Sequence, residues 1–526
     1  MPLTDVSRTW RRRRVLTTAA AAGAAAAAGA LVPATPAAAN AGAGAGLVPA
    51  DPLLHLLRRA TFGPTAEAIA EIRRLGAAGW LDRQLAPGQI DDPEVDAYLG
   101  RFPLLHLDIA GLRRAAAAGE LKVGSWAAMQ QLGHAALVRA AWSRRQLFEV
   151  MVDFWSNHLN VACPFGDAWD SRTDYDRTVI RAHALGRFAD QLKASARHPA
   201  MLAYLDNRAS TKTRPNENYG RELLELHTVG LVHTEADVQH AARLLTGLTV
   251  DKTGAYRYEP VWHATGAVTI LGFSHPNATA AGGEAAVDAL LDYLAAHPAT
   301  ARRIAHKLCV RFVADDPPAG LVDRLAQVYL AGGTAIVPVL RALFTSAEFA
   351  AALGAKVRTP LEDAVATIRV LGLRPEAVTT DNPTGTAASR ALYWTLQTLG
   401  QAPLRWGPPD GYPDVAAAWA SPGGYLGRWN LHLNLAAGWY PKQLVRPASL
   451  LRHLVGAALP ATHGGLVDAV ARALVGRPLS APHTAALTAF FGKQPTSPLR
   501  ATDSAATGGF PYLVALVLDS PYFQVR

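Results

Sequence analysis

The sequence predicts a mainly α-helical protein, a large multi-helix array of orthogonal or bundle-like packing with little or no β-structure. Half of its 526 residues are apolar or aromatic, which is enough to bury a large core without metals or disulfides. Apolar residues recur at helical spacing along most of the chain, and strand-like alternation is scarce. Only residues 268–273 have the pattern of a short extended segment.

The helical pattern starts near Leu53 and stops at Gly63 and Pro64, after which Thr65 is placed to cap a new helix. The later amphipathic stretches each carry apolar residues on one side and polar residues on the other. They predict helices over residues 65–85, 125–160, 173–198, 216–230, 234–248, 284–296, 298–313, 319–330, 334–346, 358–372, 386–399 and 446–457.

Two segments rich in Pro and Gly separate these helices. Residues 374–388 predict a loop and a boundary between two lobes. Residues 405–425 contain too much Pro and Gly for a helix. Their Trp406, Tyr412 and Trp419 favour an ordered loop packed on the helices over a surface that stacks on sugars.

The predicted organisation has four parts. Residues 1–39 are a signal peptide, residues 40–50 a flexible segment, residues 51–375 the main helical domain, and residues 376–526 a C-terminal helical lobe packed on it. The alternative is one continuous domain over residues 51–526.

The N-terminal residues predict export. Residues 12–16, Arg-Arg-Arg-Val-Leu, match the twin-arginine pattern of two arginines, any residue and two apolar residues. A weakly apolar Ala/Gly stretch over residues 17–32 precedes Pro-Ala-Ala-Ala at 36–39, where a signal peptidase could cut. A membrane anchor is the weaker alternative, because a span needs about 20 strongly apolar residues. We therefore expect an extracytoplasmic or secreted protein without a transmembrane span after cleavage.

The net charge argues against a nucleic-acid-binding protein, and the cysteine spacing argues against a cysteine metal site. Of the net charge of +9, residues 1–39 carry +4 from five arginines and one aspartate, which leaves +5 for the remainder. So small a surplus does not indicate a nucleic-acid-binding protein, which needs clustered Lys and Arg. Cys163 and Cys309 have no metal-ligand spacing, and two buried free thiols are a simpler interpretation than a disulfide.

The densest polar stretch is PNENYGRELLELHTVG, residues 215–230. On a helix of about 100° per residue, Asn218, Glu222 and Glu225 share one narrow face. His227 projects into the opposite apolar arc and is interpreted as a core histidine.

The carboxylates of this face are candidate catalytic residues, Glu222 and Glu225 with Arg221 beside them. A carboxylate pair can act as acid and base on a glycoside, although nothing in the sequence separates the pKa values of these two. A Gly-x-Ser-x-Gly motif for nucleophilic catalysis is absent from the sequence.

A divalent metal is the second hypothesis for the same face. His158 lies on a helical stripe with Leu147, Met151 and Phe154, which predicts that it points inward and could join Glu222 and Glu225 as a ligand. His263, in a predicted loop, is a further candidate ligand. Asp206, Asn207, Asn216 and Glu217 supply only oxygen and would suit Ca²⁺.

A structural interpretation competes with both hypotheses. Arg221 stands four residues from Glu217 and from Glu225, a spacing typical of exposed ion pairs worth tenths of a kcal/mol. The same region would also serve as a polar network that joins helices. The residues of that network are Asp206, Asn207, Asn216, Glu217 and Asn218.

Several short blocks together resemble the bacterial family known as domain of unknown function 1800, in order along nearly the whole chain after residue 50. These blocks are LRRATFGPT (57–65), FWSNH (154–158), PAMLAYLDN (199–207), the 215–230 stretch, TEADV (234–238), LTG (245–247), HPATAR (297–302), FVADDPP (312–318) and LGQ (399–401).

The resemblance implies an exported protein and gives no established activity. It implies one candidate partner, a second exported protein of the domain of unknown function 1501 family. Because the Asn and Glu residues of 216–222 belong to the family motif, the resemblance weighs against a merely solvated helix face.

The chain departs from the family at Ser156, where the family has His, and at His227, where the family has Phe. It departs again at Ala264 and Val268, where the family has an acid and a lysine.

Two functions follow from these observations. The first is an extracytoplasmic enzyme with a carboxylate and histidine centre that holds a divalent metal. The second is a non-catalytic scaffold or binding protein that acts with another exported protein.

Overall fold

Helices dominate the computed structural model, which describes residues 45–526. Of these described residues, 59% are helical and 5% are strand, so the mainly α prediction is confirmed. Most helices begin at a polar cap or at a proline. Thr65, for example, accepts a hydrogen bond from the Ala68 amide at the start of the second helix, as predicted. The capping box of Thr234 and Asp237 starts another helix in the same way.

The first half of the described chain contains eleven α-helices. They are α1 (Pro52–Ala60), α2 (Ala66–Gln84), α3 (Pro93–Leu99), α4 (Ile109–Ala117), α5 (Ala127–Trp142), α6 (Gln146–His158), α7 (Arg172–Tyr175), α8 (Phe188–Arg197), α9 (Pro199–Tyr204), α10 (Glu217–Glu222) and α11 (Glu235–Leu244).

The second half continues the array. Its helices are α12 (Gly283–Ala295), α13 (Pro298–Phe312), α14 (Ala319–Ala331), α15 (Ile336–Phe344), α16 (Ala347–Ala351), α17 (Pro360–Val370), α18 (Ala387–Thr398), α19 (Pro422–Ala437), α20 (Leu450–Val455), α21 (His463–Val475), α22 (Ala481–Phe490), α23 (Phe510–Leu518) and α24 (Pro521–Gln524).

Two short antiparallel hairpins lie between α11 and α12. Strand β1 (Leu248–Val250) pairs with β2 (Tyr256–Tyr258), and β3 (Val268–Ile270) pairs with β4 (Phe273–His275). The extended segment predicted at 268–273 is therefore present. The first hairpin was not predicted, since its turn depends on Asp251, whose carboxylate accepts from the Thr253 and Ala255 amides.

Several predicted boundaries differ from the structure. The continuous helix expected over 125–160 is broken at Ser143, which is extended and separates α5 from α6. The loop expected over 405–425 ends at Ser421, because Pro422 starts α19 and Ser421 caps it by accepting from Gly424. Proline suits the first position of a helix, where its missing N–H costs nothing.

Within residues 45–526, two segments form π-helix rather than α-helix. One covers Asp176–Arg181 after α7, and the other covers Leu223–His227 directly after α10. π-Helical turns are rare in proteins, and those that occur are often found at functional sites. The helix predicted over 216–230 thus runs over 217–227 and changes its winding at Leu223.

The main hydrophobic core contains residues from Leu54 to Phe523, two smaller clusters accompany it, and the described residues 45–526 belong to one compact unit. Buried ion pairs cross this core. Glu362 on α17 bonds Arg311 of α13 at 2.6 Å and Arg526 at 2.8 Å. His432 on α19 lies between Asp363 at 3.1 Å and Asp519 at 2.7 Å.

Three further predictions concern the ends and the thiols of the chain. The predicted signal peptide, residues 1–39, lies outside the described residues. Within the 40–50 segment, a short 3-10 turn covers Ala45–Leu47 and Val48 is buried. Cys163 and Cys309 are buried and unpaired. Over residues 45–526 we find no helix with the length and apolar character that membrane crossing requires.

Candidate functional site

The C-terminal end of α6 carries a buried histidine with two partners. His158 is 1% exposed, and its Nδ1 lies 3.1 Å from the Lys307 Nζ, while its Nε2 lies 3.1 Å from the His227 carbonyl oxygen. Because an ammonium group can only donate, Nδ1 accepts from Lys307 and the proton of His158 is on Nε2. Burial and the charges of Lys307 and Arg303 hold the pKa of His158 well below its usual value, so this neutral form is stable.

His227 lies next to His158 and is a second buried histidine of the same region. It is 1% exposed at the end of the second π segment, as expected for a core histidine, and its Nε2 has no hydrogen-bond partner among the described residues. Burial, with the charges of Lys307 and Arg303, lowers its pKa to about 3. The end of α6 therefore meets the π segment after α10 at two neutral histidines.

Helix α13 supplies a row of basic residues to this region. Arg303, Lys307 and Arg311 follow one another at intervals of four, so they lie on one face of the helix. Each faces acidic groups of another segment. Arg303 interacts with the charge of Glu225, Lys307 with those of Asp410 and Asp414, and Arg311 pairs with Glu362. Burial, followed by the charge of Arg303, lowers the pKa of Lys307 to about 8.

Glu222 and Glu225 lie half-buried at the junction between α10 and the π segment. Neither carboxylate has a hydrogen bond or an ion pair with any described residue, although such groups are normally paired when buried. Burial, the charge of Glu225 and that of Asp410 raise the pKa of Glu222 to about 7, and Arg221 opposes this only in part. Both protonation states of Glu222 are therefore accessible near neutral pH.

Arg221 does not pair with the two glutamates at helical spacing. It makes a two-pronged bond to Glu235 at the start of α11, with distances of 2.8 and 2.6 Å. Its guanidinium is thus directed along the surface between α10 and α11. This leaves Glu222 and Glu225 without a bound counterion.

The loop over residues 405–421 packs on the end of α6, as predicted. The Asn160 amide donates to the carbonyls of Trp406 and Pro408, and the Tyr412 N–H donates to Asn157. Gly411 has a positive φ of 75°, and a Cβ there would lie 2.1 Å from the Asn157 carbonyl oxygen, so only glycine fits. This close packing places the exposed Asp410 where its charge acts on both Glu222 and Lys307.

We call these groups together the polar centre. It consists of His158, Glu222, Glu225, His227, Arg303, Lys307 and Asp410. Its histidines are buried, Glu222, Glu225, Arg303 and Lys307 are half-buried, and Asp410 is exposed, so part of the centre is accessible to solvent.

The predicted ligand His263 is placed elsewhere. It is 2% exposed, with Nδ1 at 2.9 Å from the Thr246 carbonyl and Nε2 at 2.8 Å from the Asn277 side chain. Both ring nitrogens are used to join the β3–β4 hairpin to the end of α11. The structure gives this histidine a bridging position and does not bring it to the polar centre.

The five residues of the predicted polar network separate into two groups. Asn207 and Asn216 do join segments, because the Asn207 amide donates to Leu245 at 3.1 Å and the Asn216 amide donates to Leu205 at 2.6 Å. Asp206, Glu217 and Asn218 are exposed.

The structure does not assemble the predicted metal ligands. Among residues 45–526, no group of three or more His, Cys, Asp and Glu side chains is arranged to hold a metal ion. At His158 the nearest group to Nδ1 is an ammonium, which would repel a cation at that position. Metal binding by His158, Glu222, Glu225 and His263 stays a prediction, and it would require these side chains to move.

Sequence analysis missed Arg303, Lys307 and Asp410. The first two left a detectable signal, because three basic residues at intervals of four on one helix repel one another unless carboxylates face them. That pattern indicated an acidic surface opposite α13. Asp410 left no detectable signal in the sequence, since its position depends on how the loop folds over α6.

The arrangement as a whole is suited to proton transfer. Lys307, with a pKa near 8, and Glu222, with a pKa near 7, can each gain or lose a proton at physiological pH. The neutral His158 orients the lysine. Groups with pKa values displaced toward neutrality concentrate at functional sites.

The comparisons with known proteins identify a family. A family described as "Protein of unknown function (DUF1800)" matches residues 55–525, which is nearly the whole chain. No curated protein and no solved structure matches.

Proposed function

Because the chain belongs to the DUF1800 family, whose description assigns no activity, we propose a function from the chemistry of the polar centre: an extracytoplasmic enzyme that uses general acid–base catalysis. Glu222 is the first proton-transferring group of this site, and Lys307 is the second proton-transferring group. The contact that carries this proposal is the 3.1 Å hydrogen bond from Lys307 to His158. The charge of Asp410 acts on both Lys307 and Glu222.

Each residue has a separate role in this proposal. Glu222 donates a proton to a leaving group or removes one from water or substrate. His158 accepts from Lys307 and so positions its ammonium, and the carbonyl of His227 fixes the histidine ring in turn. Arg303 interacts with the charge of Glu225 and is half-buried. In this proposal its positive charge binds an anionic or polar part of the substrate.

The extracytoplasmic location is part of the proposal and rests on the sequence alone. It is supported by the twin-arginine pattern of residues 12–16. Metal is not required for the proton transfer proposed, because Glu222 and Lys307 both titrate near neutral pH.

Hydrolysis of chromogenic 4-nitrophenyl glycosides and esters tests this function. We expect turnover by the full chain with a pH dependence governed by groups near 7 and 8, loss of turnover in Glu222→Gln, and strong reduction in Lys307→Met. Glu217→Gln, an exposed glutamate on the same helix, is the matched control and should retain full activity. Absence of turnover by the native chain, or equal activity in Glu222→Gln, would contradict the proposal.

The scaffold function remains the alternative, and one observation favours it. Trp394 on α18 and Leu426 and Trp429 on α19 are large apolar residues with exposures of 56%, 57% and 41%. Exposed apolar side chains of this size are typical of contact surfaces. Copurification of an exported protein of the 1501 family with the native chain, lost in a Trp394→Ser, Trp429→Ser variant and retained in Glu222→Gln, would support this alternative.

A further inference from the structure

A second region of the molecule, which shares no residue with the polar centre, forms an open cavity of about 570 Å³. It lies between α3, α5, α7 and the first π segment. Its volume is in the range of small-molecule sites. One wall is apolar and is formed by Leu99, Leu105 and Leu132.

The charged wall of the cavity contains an arginine without a hydrogen bond. Arg139 lies on α5, its side chain is 17% exposed, and its closest carboxylate is Asp176 at 3.9 Å. That separation is too long for a hydrogen bond. Burial, followed by the charge of Arg181, lowers the pKa of Arg139 to about 10, so it remains charged at neutral pH.

The partner in this long pair is unsatisfied as well. Asp176 is 4% exposed, and its carboxylate accepts no hydrogen bond from a described residue. Thr173, one helical turn before it, places a buried hydroxyl on the same wall that also has no partner. A buried charge and a buried hydroxyl without hydrogen bonds are costly, and native proteins keep few of them.

The neighbouring charges do not explain these open groups. Arg181 is held by both oxygens of Glu149, at 2.9 and 2.7 Å, and Arg177 bonds Asp174. The exposed side chains of Asp96 and His106 also line the cavity without a hydrogen bond, but they face solvent. The groups without a hydrogen bond on buried or mostly buried residues are the Arg139 guanidinium, the Asp176 carboxylate and the Thr173 hydroxyl. A simple anion would satisfy Arg139 and be repelled by Asp176, and a simple cation would do the reverse.

We propose that this cavity binds a free α-amino acid with an apolar side chain. The carboxylate of the ligand accepts from Arg139 and Thr173, the ammonium donates to Asp176, and the side chain packs on Leu99, Leu105 and Leu132. The close approach of Arg139 and Asp176 selects an α-amino acid over a peptide, because a single carbon separates the two charged groups of an amino acid while the two ends of a peptide lie further apart.

Calorimetric titration of the full chain tests the proposal with L-leucine as the probe. We expect leucine to bind and two analogues to bind at least about tenfold more weakly, namely 4-methylpentanoate, which lacks the ammonium, and isopentylamine, which lacks the carboxylate. Leucyl-leucine should also bind more weakly. No binding of leucine, equal binding of 4-methylpentanoate, or tighter binding of the dipeptide would each overturn the assignment.

Variants assign the binding to this cavity. Arg139→Gln and Asp176→Asn should each weaken leucine binding by about tenfold or more, and Arg472→Gln, an exposed arginine on α21, should not. Thr173→Val covers the case in which those two variants fail to fold, because it removes only an unbonded hydroxyl at nearly constant volume. It should leave unfolding unchanged and weaken leucine binding several-fold, whereas unchanged binding in Thr173→Val would place the ligand elsewhere.

Discussion

At the residue scale, the environment of a side chain decides its chemistry more than its identity does. Glu222 and Glu217 are glutamates on the same short helix, yet Glu217 is exposed, whereas burial and the charge of Glu225 raise the pKa of Glu222 to about 7. The sequence predicted the polar face to which Glu222 belongs. It could not predict the raised pKa, because the burial and the charge of Asp410 come from segments distant in sequence.

The raised pKa of Glu222 predicts a pH dependence of stability. A carboxyl whose pKa is about 7 in the folded state and near 4.5 in the unfolded state stabilises the fold below pH 4.5, and this contribution is lost as the pH rises through 7. Glu222→Gln does not titrate. We therefore expect this variant to gain stability relative to the native chain between pH 4.5 and 7 and to keep the gain above pH 7.

Urea unfolding of the native chain and of Glu222→Gln between pH 4.5 and 8 measures this difference. Glu217→Gln, at an exposed glutamate of the same helix, serves as the control variant. A difference between Glu222→Gln and the native chain that is the same at every pH would show that Glu222 titrates normally.

At the scale of elements, the polar centre depends on how four segments meet. Helix α6 brings His158, the π segment after α10 brings Glu225 and His227, α13 brings its basic row, and the 405–421 loop brings Asp410. The 3.6-residue period predicted each of the three helices, and Pro and Gly predicted the loop. The π turn was not predictable from the period, because it changes the winding in the middle of an otherwise helical stretch and so moves Glu225 relative to Glu222.

Gly411 is the position at which the loop depends most on α6. Gly411→Ala places a Cβ against the Asn157 carbonyl at a positive φ, and we expect it to cost about 2 kcal/mol or more in unfolding free energy. Gly407→Ala is the matched control in the same loop, since nothing lies within 4 Å of the added Cβ there, and its effect should stay within about 1 kcal/mol. Equal effects of the two substitutions in urea unfolding would refute this packing.

At the scale of the whole molecule, buried ion pairs connect parts of the chain that are distant in sequence. Glu362 on α17 is 3% exposed and receives Arg311 from α13 and Arg526 from the last residue of the chain. Burial would raise the pKa of Glu362, but the charges of Arg526 and Arg311 keep it well below its usual value. The carboxylate therefore remains ionised between two guanidinium groups.

Removing this charge should be far more costly than removing a surface charge. Glu362→Gln keeps the shape of the side chain, leaves the buried Arg526 without its ion-pair partner, and leaves Arg311 with only Asp414 at 3.6 Å, so we expect a loss of about 3–5 kcal/mol in unfolding free energy. Asp468→Asn breaks the exposed pair with Arg472 and should cost less than about 1 kcal/mol. A cost for Glu362→Gln as small as that for Asp468→Asn would show that the buried pair contributes little to stability.

The sequence by itself determined the family, the mainly α class, most helices between residues 65 and 399, and the polar face at Asn218, Glu222 and Glu225. These depend on local periodicity, capping residues and short motifs, all of which lie within a few residues of one another. Only the tertiary structure decided which groups surround that face. The ammonium of Lys307 on His158, the charge of Asp410 on Glu222, and the open pair of Arg139 and Asp176 all join segments far apart in the chain, and burial sets the strength of every one of these interactions.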